Sequence, residues 1–268
     1  GWSLKQLIQE GLGGVPGKIT SSPAGHLSTL CNQMVNFLGI MQNEWAGAQA
    51  FSSFDTYLAP FVKVDNLTQK EVKQCIQSFI YGVNTPSRWG TQAPFSNITL
   101  DWVCPPDLAD QPAIVGGKEM DFTYGDCKKE MDMVNKAFIE IMIEGDANGR
   151  GFQYPIPTYS ITRDFDWSET ENNKLLFEMT AKYGTPYFSN YINSDMEPSD
   201  VRSMCCRLRL DLRELRKKSG GFFGSGESTG SIGVVTINLP RIAYLAENQQ
   251  DFYARLGKLM DIAARSLK

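Results

Sequence analysis

Apolar positions spaced three and four residues apart predict helices in several parts of the chain. One helix is expected over residues 23–44, where a serine and a proline suit the N-cap and first helical positions. Capping boxes at 68–71 and 168–171 predict the starts of two more helices. Helical spacing also covers residues 124–144 and 251–267.

Alternating apolar and polar residues predict strands between these helices. The strand candidates are residues 95–102, 152–161, 187–192 and 232–238. The last is the clearest because Val234 and Val235 lie at its centre. A segment of small residues at 47–53 suits a strand or a turn. Because helices and strands alternate, we expect an α/β fold with parallel strands and covering helices. An open doubly wound sheet and part of a barrel both fit this order.

Composition narrows the classes of function. The net charge of −4 argues against nucleic-acid binding, and no run of about twenty apolar residues is present to span a membrane. No G-x-G-x-x-G or Walker loop follows a predicted strand, which disfavours the common nucleotide-binding motifs. The single histidine, His26, leaves no Ser-His-Asp triad and no histidine-rich metal site, and we interpret it as a surface or capping residue.

The six cysteines lack the C-x-x-C spacing of zinc and redox motifs, so we expect a reducing, cytoplasmic setting. Cys31, Cys75 and Cys127 lie in helical apolar patterns and are predicted to pack in the core. Cys205 and Cys206 stand side by side in an arginine-rich stretch. A thiol there could be a nucleophile, a redox group or a hydrogen-atom donor. On chemistry alone, a functional and a buried structural cysteine are equally favoured.

Two other features could carry chemistry. The glycine- and hydroxyl-rich segment 219–231 suits a loop that binds phosphate or a polar substrate, and it equally suits a flexible surface loop. The carboxylate pairs Glu144 with Asp146 and Asp164 with Asp166 are candidates for acid–base catalysis, and each could instead end a helix or form a turn.

Several motifs, taken in order, resemble one known family. They occupy residues 46–55, 90–95, 144–146, 152–159, 204–207 and 230–241. Together they resemble the anaerobic (class III) ribonucleoside-triphosphate reductases, which are glycyl-radical enzymes. The resemblance implies part of a ten-stranded α/β barrel, built from two five-stranded parallel halves, with a finger loop threaded through it.

The resemblance also implies the site residues. The family's finger-loop pattern of Met, one residue, Cys, Arg places the thiyl radical on Cys206 and a methionine beside it at Met204. Cys205 fills the spacer position, where packing is expected. The thiyl removes the 3′ hydrogen of a ribonucleoside triphosphate, and the 2′ hydroxyl leaves as water.

Substrate binding is expected at Gly230, Ser231 and Asn238, with no metal site on this chain. The reductant implied is formate or a thiol protein. The family's cofactors and partners are a glycyl radical generated by a radical S-adenosylmethionine activase, ATP and deoxynucleotide effectors, zinc, and a second copy in a homodimer.

Residues 1–268 match only a partial catalytic barrel domain, without the family's N-terminal ATP cone and its C-terminal zinc and glycyl-radical region. We therefore expect a fragment that is inactive alone and that associates or is poorly soluble. Two alternatives remain open: another glycyl-radical enzyme, such as a lyase, and a split or inactive subunit that only assembles with another chain.

Overall fold

The computed structural model describes residues 3–13, 17, 20–44, 48–85, 93–192, 194, 201–205, 208–211 and 235–267, with the backbone alone for 201–205 and 208–211. The chain divides into two compact units, Gly1–Ser228 and Thr229–Lys268. Each is described by itself, so the single domain expected over 1–268 stays a prediction. None of the helices in the described ranges has the length and hydropathy needed to cross a membrane.

The helices of the first unit are α1 Leu4–Glu10, α2 Leu27–Glu44, α3 Phe54–Val64, α4 Gln69–Asn84, α5 Pro106–Ala109, α6 Lys128–Glu144 and α7 Glu171–Tyr183. Its strands are β1 Gln49–Phe51, β2 Ser96–Leu100, β3 Pro112–Val115, β4 Lys118–Thr123, β5 Ile156–Ile161, β6 Tyr187–Asn190, β7 Val201–Cys205 and β8 Leu208–Asp211. The second unit contains α8 Leu239–Leu245 and α9 Gln249–Ser266.

The main sheet has four parallel strands in the order β1-β2-β5-β6. Helices α3 and α4 connect β1 to β2, and α7 connects β5 to β6. Such helical crossovers are what parallel neighbours require. The predicted α/β class, with parallel strands and covering helices, is confirmed.

The register gives the sheet two chemically different faces, because paired residues of parallel strands point to the same side. Phe51 pairs with Ile98, and Leu100 with Tyr159; these four belong to the hydrophobic core. The rings of Phe37 in α2 and Phe51 are 5.7 Å apart, so this apolar face is covered by helices. The opposite side carries Ala50, Asn97, Thr99, Ile156, Thr158, Ser160, Tyr187 and Ser189, and we name it the polar face after its asparagine, threonine and serine side chains.

The apolar stripe predicted for α2 is buried along its length. It comprises Leu27, Leu30, Cys31, Met34, Leu38 and Met41. Of the three cysteines predicted to pack in the core, Cys31 and Cys127 are buried and Cys75 is half-buried against the core. The stripe faces α4, whose Val72, Ile76 and Phe79 are fully buried.

Helices α2 and α4 pack closely at Gly82, where an added Cβ would lie 2.7 Å from Cγ2 of Val35. We expect Gly82→Ala to lower the free energy of unfolding by about 1–3 kcal/mol, despite alanine's better helix propensity. Val35→Ala should open the needed space, so the double variant should recover part of the loss. Urea denaturation of the two single variants and the double variant measures this. An additive double variant would contradict the contact.

Several predicted boundaries were wrong. The helix expected over 23–44 begins only at Leu27, so Ser22 and Pro23 are not its N-cap and first residue. The helix expected over 124–144 becomes α-helical at Lys128, and the strand expected over 152–161 begins at Ile156.

The helix expected from the box at 168–171 begins later, because Asp166 accepts hydrogen bonds from the backbone and hydroxyl of Ser168, and Thr170 is the N-cap of α7. Strand β2 ends at Leu100, and Trp102 has φ +65°. The described part of 232–238 forms no strand, and Asn238 instead caps α8. Residues 232–234 lie outside the described residues.

Candidate active site

Several polar side chains of the polar face are buried. Asn97, Ser160 and Thr158 are 0 %, 3 % and 4 % exposed. Asn97 Nδ2 donates to Thr158 Oγ1 at 3.4 Å. Asn97 Oδ1 and Thr99 Oγ1 are buried, and no hydrogen-bond partner for either lies among the residues that the structure describes. Buried polar atoms are usually paired, so these two mark a place where a ligand or water is expected.

An antiparallel hairpin, β7–β8, lies against this sheet. Cys205 at the end of β7 pairs with Leu208 at the start of β8. Cα atoms of β7 lie within 8 Å of Cα atoms in both β1 and β2. A strand added beside β1 would stand roughly 9.5 Å from β2, so β7 crosses a face instead. Because helices cover the apolar face, we infer that the hairpin covers the polar one.

A cavity of about 220 Å³ opens at the carboxyl ends of the strands. Its walls include Asp101 after β2, and Arg163 and Asp164 after β5. Ser160 links it to the polar face because it belongs to both. Ligands of parallel α/β sheets bind at this edge, so the polar face and the cavity together form the candidate site.

A buried carboxylate holds the end of β2 in place. Asp55, in the first turn of α3, accepts hydrogen bonds from the backbone N–H groups of Asp101 at 2.8 Å and Trp102 at 2.9 Å. It also accepts from Asn135 Nδ2 at 2.8 Å, and Thr56 Oγ1 donates to Asp101 Oδ2 at 2.6 Å. Burial raises the pKa of Asp55, and these donors oppose the rise. The arrangement fixes Asp101 at the cavity wall.

The Tyr159 hydroxyl is buried close to this carboxylate. Burial, and then the charge of Asp55, raise the pKa of Tyr159 well above its ordinary value, so the phenol stays neutral. No hydrogen-bond partner satisfies its oxygen within the described ranges. Its ring meets that of Trp102 edge to face at 5.3 Å, which puts the tyrosine on the helix-covered side, away from the polar face.

The described cysteines near the cavity are unsuited to thiolate chemistry. Burial raises the pKa of Cys104 and of Cys127 to about 12, so both stay protonated at neutral pH. Nucleophilic chemistry would need a thiol elsewhere. Within the described ranges no group of three His, Cys, Asp or Glu side chains could hold a metal ion.

Most acid–base candidates have structural partners. Glu144 pairs with Lys73 at 2.6 Å. Asp146 accepts backbone hydrogen bonds from Asn148 and Arg150, which lower its pKa. Asp166 holds the turn before α7, and among these candidates Asp164 is the one that lines the cavity. The single histidine, His26, is exposed and contacts Asp65 at 3.0 Å, as expected for a surface residue.

Comparison with known proteins decides the family. The model of the family described as anaerobic ribonucleoside-triphosphate reductase matches residues 1–268. The chain belongs to this family. The resemblance seen in the motifs is thereby confirmed. A search of curated proteins found no match.

Solved structures show the same fold. The anaerobic ribonucleotide reductase from Thermotoga maritima in complex with dATP and CTP matches with a TM-score of 0.62 and 22 % identity, over 95 % of this chain and 41 % of that chain. A structure described as anaerobic ribonucleotide reductase matches with a TM-score of 0.65 and 21 % identity, over 95 % and 39 %. The Thermotoga maritima enzyme with dATP in the specificity site gives 0.59 and 20 %, over 95 % and 42 %. The chain thus spans about two fifths of its solved relatives.

The first two residues of the reductase motif M-C-C-R lie at the end of β7. Met204 and Cys205 belong to β7, whereas Cys206 lies outside the described residues. Gly230 and Ser231 also lie outside them. The catalytic roles of Cys206 and Met204 and the substrate roles of Gly230 and Ser231 therefore stay predictions.

Asn238 is described, and its side chain has a structural partner. Its Oδ1 accepts a hydrogen bond from the backbone N–H of Arg241 at 2.9 Å, which caps α8 in the second unit. The substrate role predicted for Asn238 stays a prediction.

Sequence reasoning missed the polar face, the cavity and the Asp55 contacts. One signal was available: in the predicted strand 95–102, Asn97 and Thr99 alternate with Ile98 and Leu100. Polar residues on the second face of a strand indicate solvent or a lined interior. Because Asn97 is buried in the structure, its face of the strand lines an interior.

Proposed function

We propose that this chain forms part of the catalytic barrel of an anaerobic ribonucleotide reductase, which converts ribonucleoside triphosphates to 2′-deoxyribonucleoside triphosphates. One observation carries the proposal. The chain matches the family over its whole length, and Cα atoms of β7, the strand that includes Met204 and Cys205, lie within 8 Å of Cα atoms of β1 and β2 in the parallel sheet. Below, "the complete enzyme" means this chain within a polypeptide of the length of its solved relatives.

In this proposal Cys206 is the hydrogen-atom acceptor. Its thiyl takes the 3′ hydrogen of the ribose, the 2′ hydroxyl leaves with a proton as water, and the hydrogen returns to C3′. Two electrons are required, and formate or a dithiol protein supplies them. With formate, one ribonucleoside triphosphate, one formate and one proton give one deoxyribonucleoside triphosphate, one carbon dioxide and one water.

The described polar face suits such chemistry because several of its side chains are shielded from bulk solvent. Asn97, Thr158 and Ser160 are each less than 5 % exposed, and reactive intermediates need that protection. When present in the complete enzyme, the glycyl radical supplies the oxidising equivalent that generates the thiyl. The side chains of this face hold and orient the substrate.

The partners proposed follow from the family. They are a radical S-adenosylmethionine activase, ATP and deoxynucleotide effectors, zinc in the part of the enzyme beyond this chain, and a second copy in a homodimer that uses the region of α2. The setting proposed is the cytoplasm.

The test is the reaction itself. We expect the complete enzyme, once activated without oxygen, to convert a ribonucleoside triphosphate to its 2′-deoxy product, measured by chromatography. A sample without activase is the control and should give none. An activated enzyme that leaves nucleotides unchanged and cleaves a small diol or acid would establish a lyase instead. A complete polypeptide that never shows a glycyl-radical signal in electron paramagnetic resonance would favour an inactive assembly subunit.

A further inference from the structure

We propose that Asn97, with Thr99 beside it on the polar face, forms a hydrogen-bonding subsite for the ribose hydroxyl groups of the bound nucleotide. This inference rests on the proposed function and deepens it, because it assigns the sugar to named side chains of this sheet. The groups that carry it are Asn97 Oδ1 and Thr99 Oγ1, which are both buried and have no hydrogen-bond partner within the described part of the chain.

Asn97 carries the strongest part of the argument. The residue is 0 % exposed, and its Nδ2 is already used by Thr158 Oγ1 at 3.4 Å. The acceptor Oδ1 therefore remains, and burying an amide oxygen without a donor is costly. A ligand that donates a hydrogen bond would remove that cost, and a hydroxyl group does so while its own oxygen can accept from a neighbour.

The register places further hydroxyl groups beside Asn97. Thr99 pairs with Thr158, and Ser160 pairs with Ser189, all on the polar face. Because alternate residues of a strand are about 7 Å apart, Asn97 and Thr99 can reach two groups of one small ligand. Ser160, which lies on the same face, lines the cavity at the carboxyl edge of the sheet.

Charge indicates which part of a nucleotide fits here. The cavity at the end of this row is lined by two carboxylates, Asp101 and Asp164, and by one guanidinium, Arg163. A triphosphate would meet this excess of negative charge unfavourably. A neutral, hydroxyl-bearing sugar meets no such penalty, and the polar face itself is built from uncharged amides and hydroxyls.

The same strand provides a matched control. Ser96 is 1 % exposed, and its Oγ, like the two atoms of the subsite, is buried with no partner in the described ranges. It lies on the opposite, helix-covered face, because neighbouring residues of a strand alternate in direction. Ser96 and Asn97 thus differ in the face that they occupy, and the subsite depends on that difference.

Binding to the complete enzyme tests the inference without any radical. The experiment measures dissociation constants for a ribonucleoside triphosphate and for its 2′-deoxy and 3′-deoxy analogues, with a saturating deoxynucleotide effector to fill regulatory sites. We expect wild type to prefer the ribonucleotide over at least one analogue by about 2- to 12-fold. Asn97→Leu should bind the ribonucleotide weaker by a similar factor and lose that preference. Thr99→Val, which keeps the shape, should show part of the loss, and Ser96→Ala should match wild type.

The outcomes separate the two proposals. If the ribonucleotide binds wild type but Asn97→Leu and Thr99→Val keep both affinity and preference, the subsite is wrong and the proposed function stands. If wild type binds no ribonucleotide, both are wrong. An equal loss in Ser96→Ala would assign the effect to general destabilisation and would overturn the subsite. Should Asn97→Leu fail to fold, Thr99→Val decides, because valine replaces threonine with little change in volume.

Discussion

In the activated complete enzyme, we expect Cys206→Ser to abolish deoxyribonucleotide formation and Cys205→Ser to leave most of it. The reason is chemical. A thiol S–H bond is weak enough to be exchanged with a sugar C–H bond, whereas the stronger O–H bond of serine makes its oxygen radical inaccessible. The resemblance of residues 204–207 to the family's motif predicts that Cys206 is the reactive position and Cys205 the spacer. Deoxyribonucleotide yield per activated enzyme measures both variants.

The matched pair makes this prediction sharp, because the two substitutions are identical and lie one residue apart. The glycyl-radical signal is the internal control, and both variants should form it as wild type does. Equal loss of activity in both would contradict the assignment of distinct roles. Full activity in Cys206→Ser would contradict the proposed mechanism itself.

Local signals predicted the elements that depend on local contacts. The box at 68–71 is a true capping box in the structure, with Thr68 and Glu71 each bonded to the other's backbone N–H, and it opens α4 as expected. The similar box at 168–171 failed because Asp166 competes for the hydroxyl and N–H of Ser168. A motif of four residues does not include such a neighbour, so the boundary shifted to Thr170.

One hairpin was missed although its signal was in the sequence. Strands β3 and β4 pair antiparallel around Gly116 and Gly117, which have φ of +63° and +73°. Two consecutive residues with positive φ form the turn favoured in two-residue hairpins, and Gly-Gly is a common pair there. Its flanking strands are half polar and short, so they gave no clear alternation.

The candidate site could be predicted only in its motif. The hairpin motif at 204–207 is contiguous, so the family pattern points to Cys206 without a structure. The polar face depends on the register between β2 and β5, which brings Asn97 close to Thr158 from 61 positions away. Asp55 and Asn135 meet across 80 positions. Nothing in a single sequence specifies such pairings.

We expect Asp55→Ala to lower the free energy of unfolding of the chain by about 2–4 kcal/mol. The substitution removes a fully buried acceptor and leaves the N–H groups of Asp101 and Trp102 and the amide of Asn135 without it. Unsatisfied buried donors lose their hydration without compensation. Asp55→Asn should recover only part of the lost stability. Its NH2 group would be a donor where Asp55 Oδ2 now accepts hydrogen bonds from Trp102 N and Asn135 Nδ2. Urea denaturation followed by circular dichroism measures these changes.

Asp107→Ala is the matched control, because Asp107 also lies in the first turn of a helix but is exposed. We expect it to change stability by no more than about 0.5 kcal/mol. A double variant of Asp55→Ala with Asn135→Ala should be less destabilised than the sum of the single variants, since the second change removes a donor that the first had stranded. If Asp55→Ala proved as mild as Asp107→Ala, the end of β2 would not depend on this carboxylate. The hydrogen bond from Thr56 would then have to hold Asp101 at the cavity by itself.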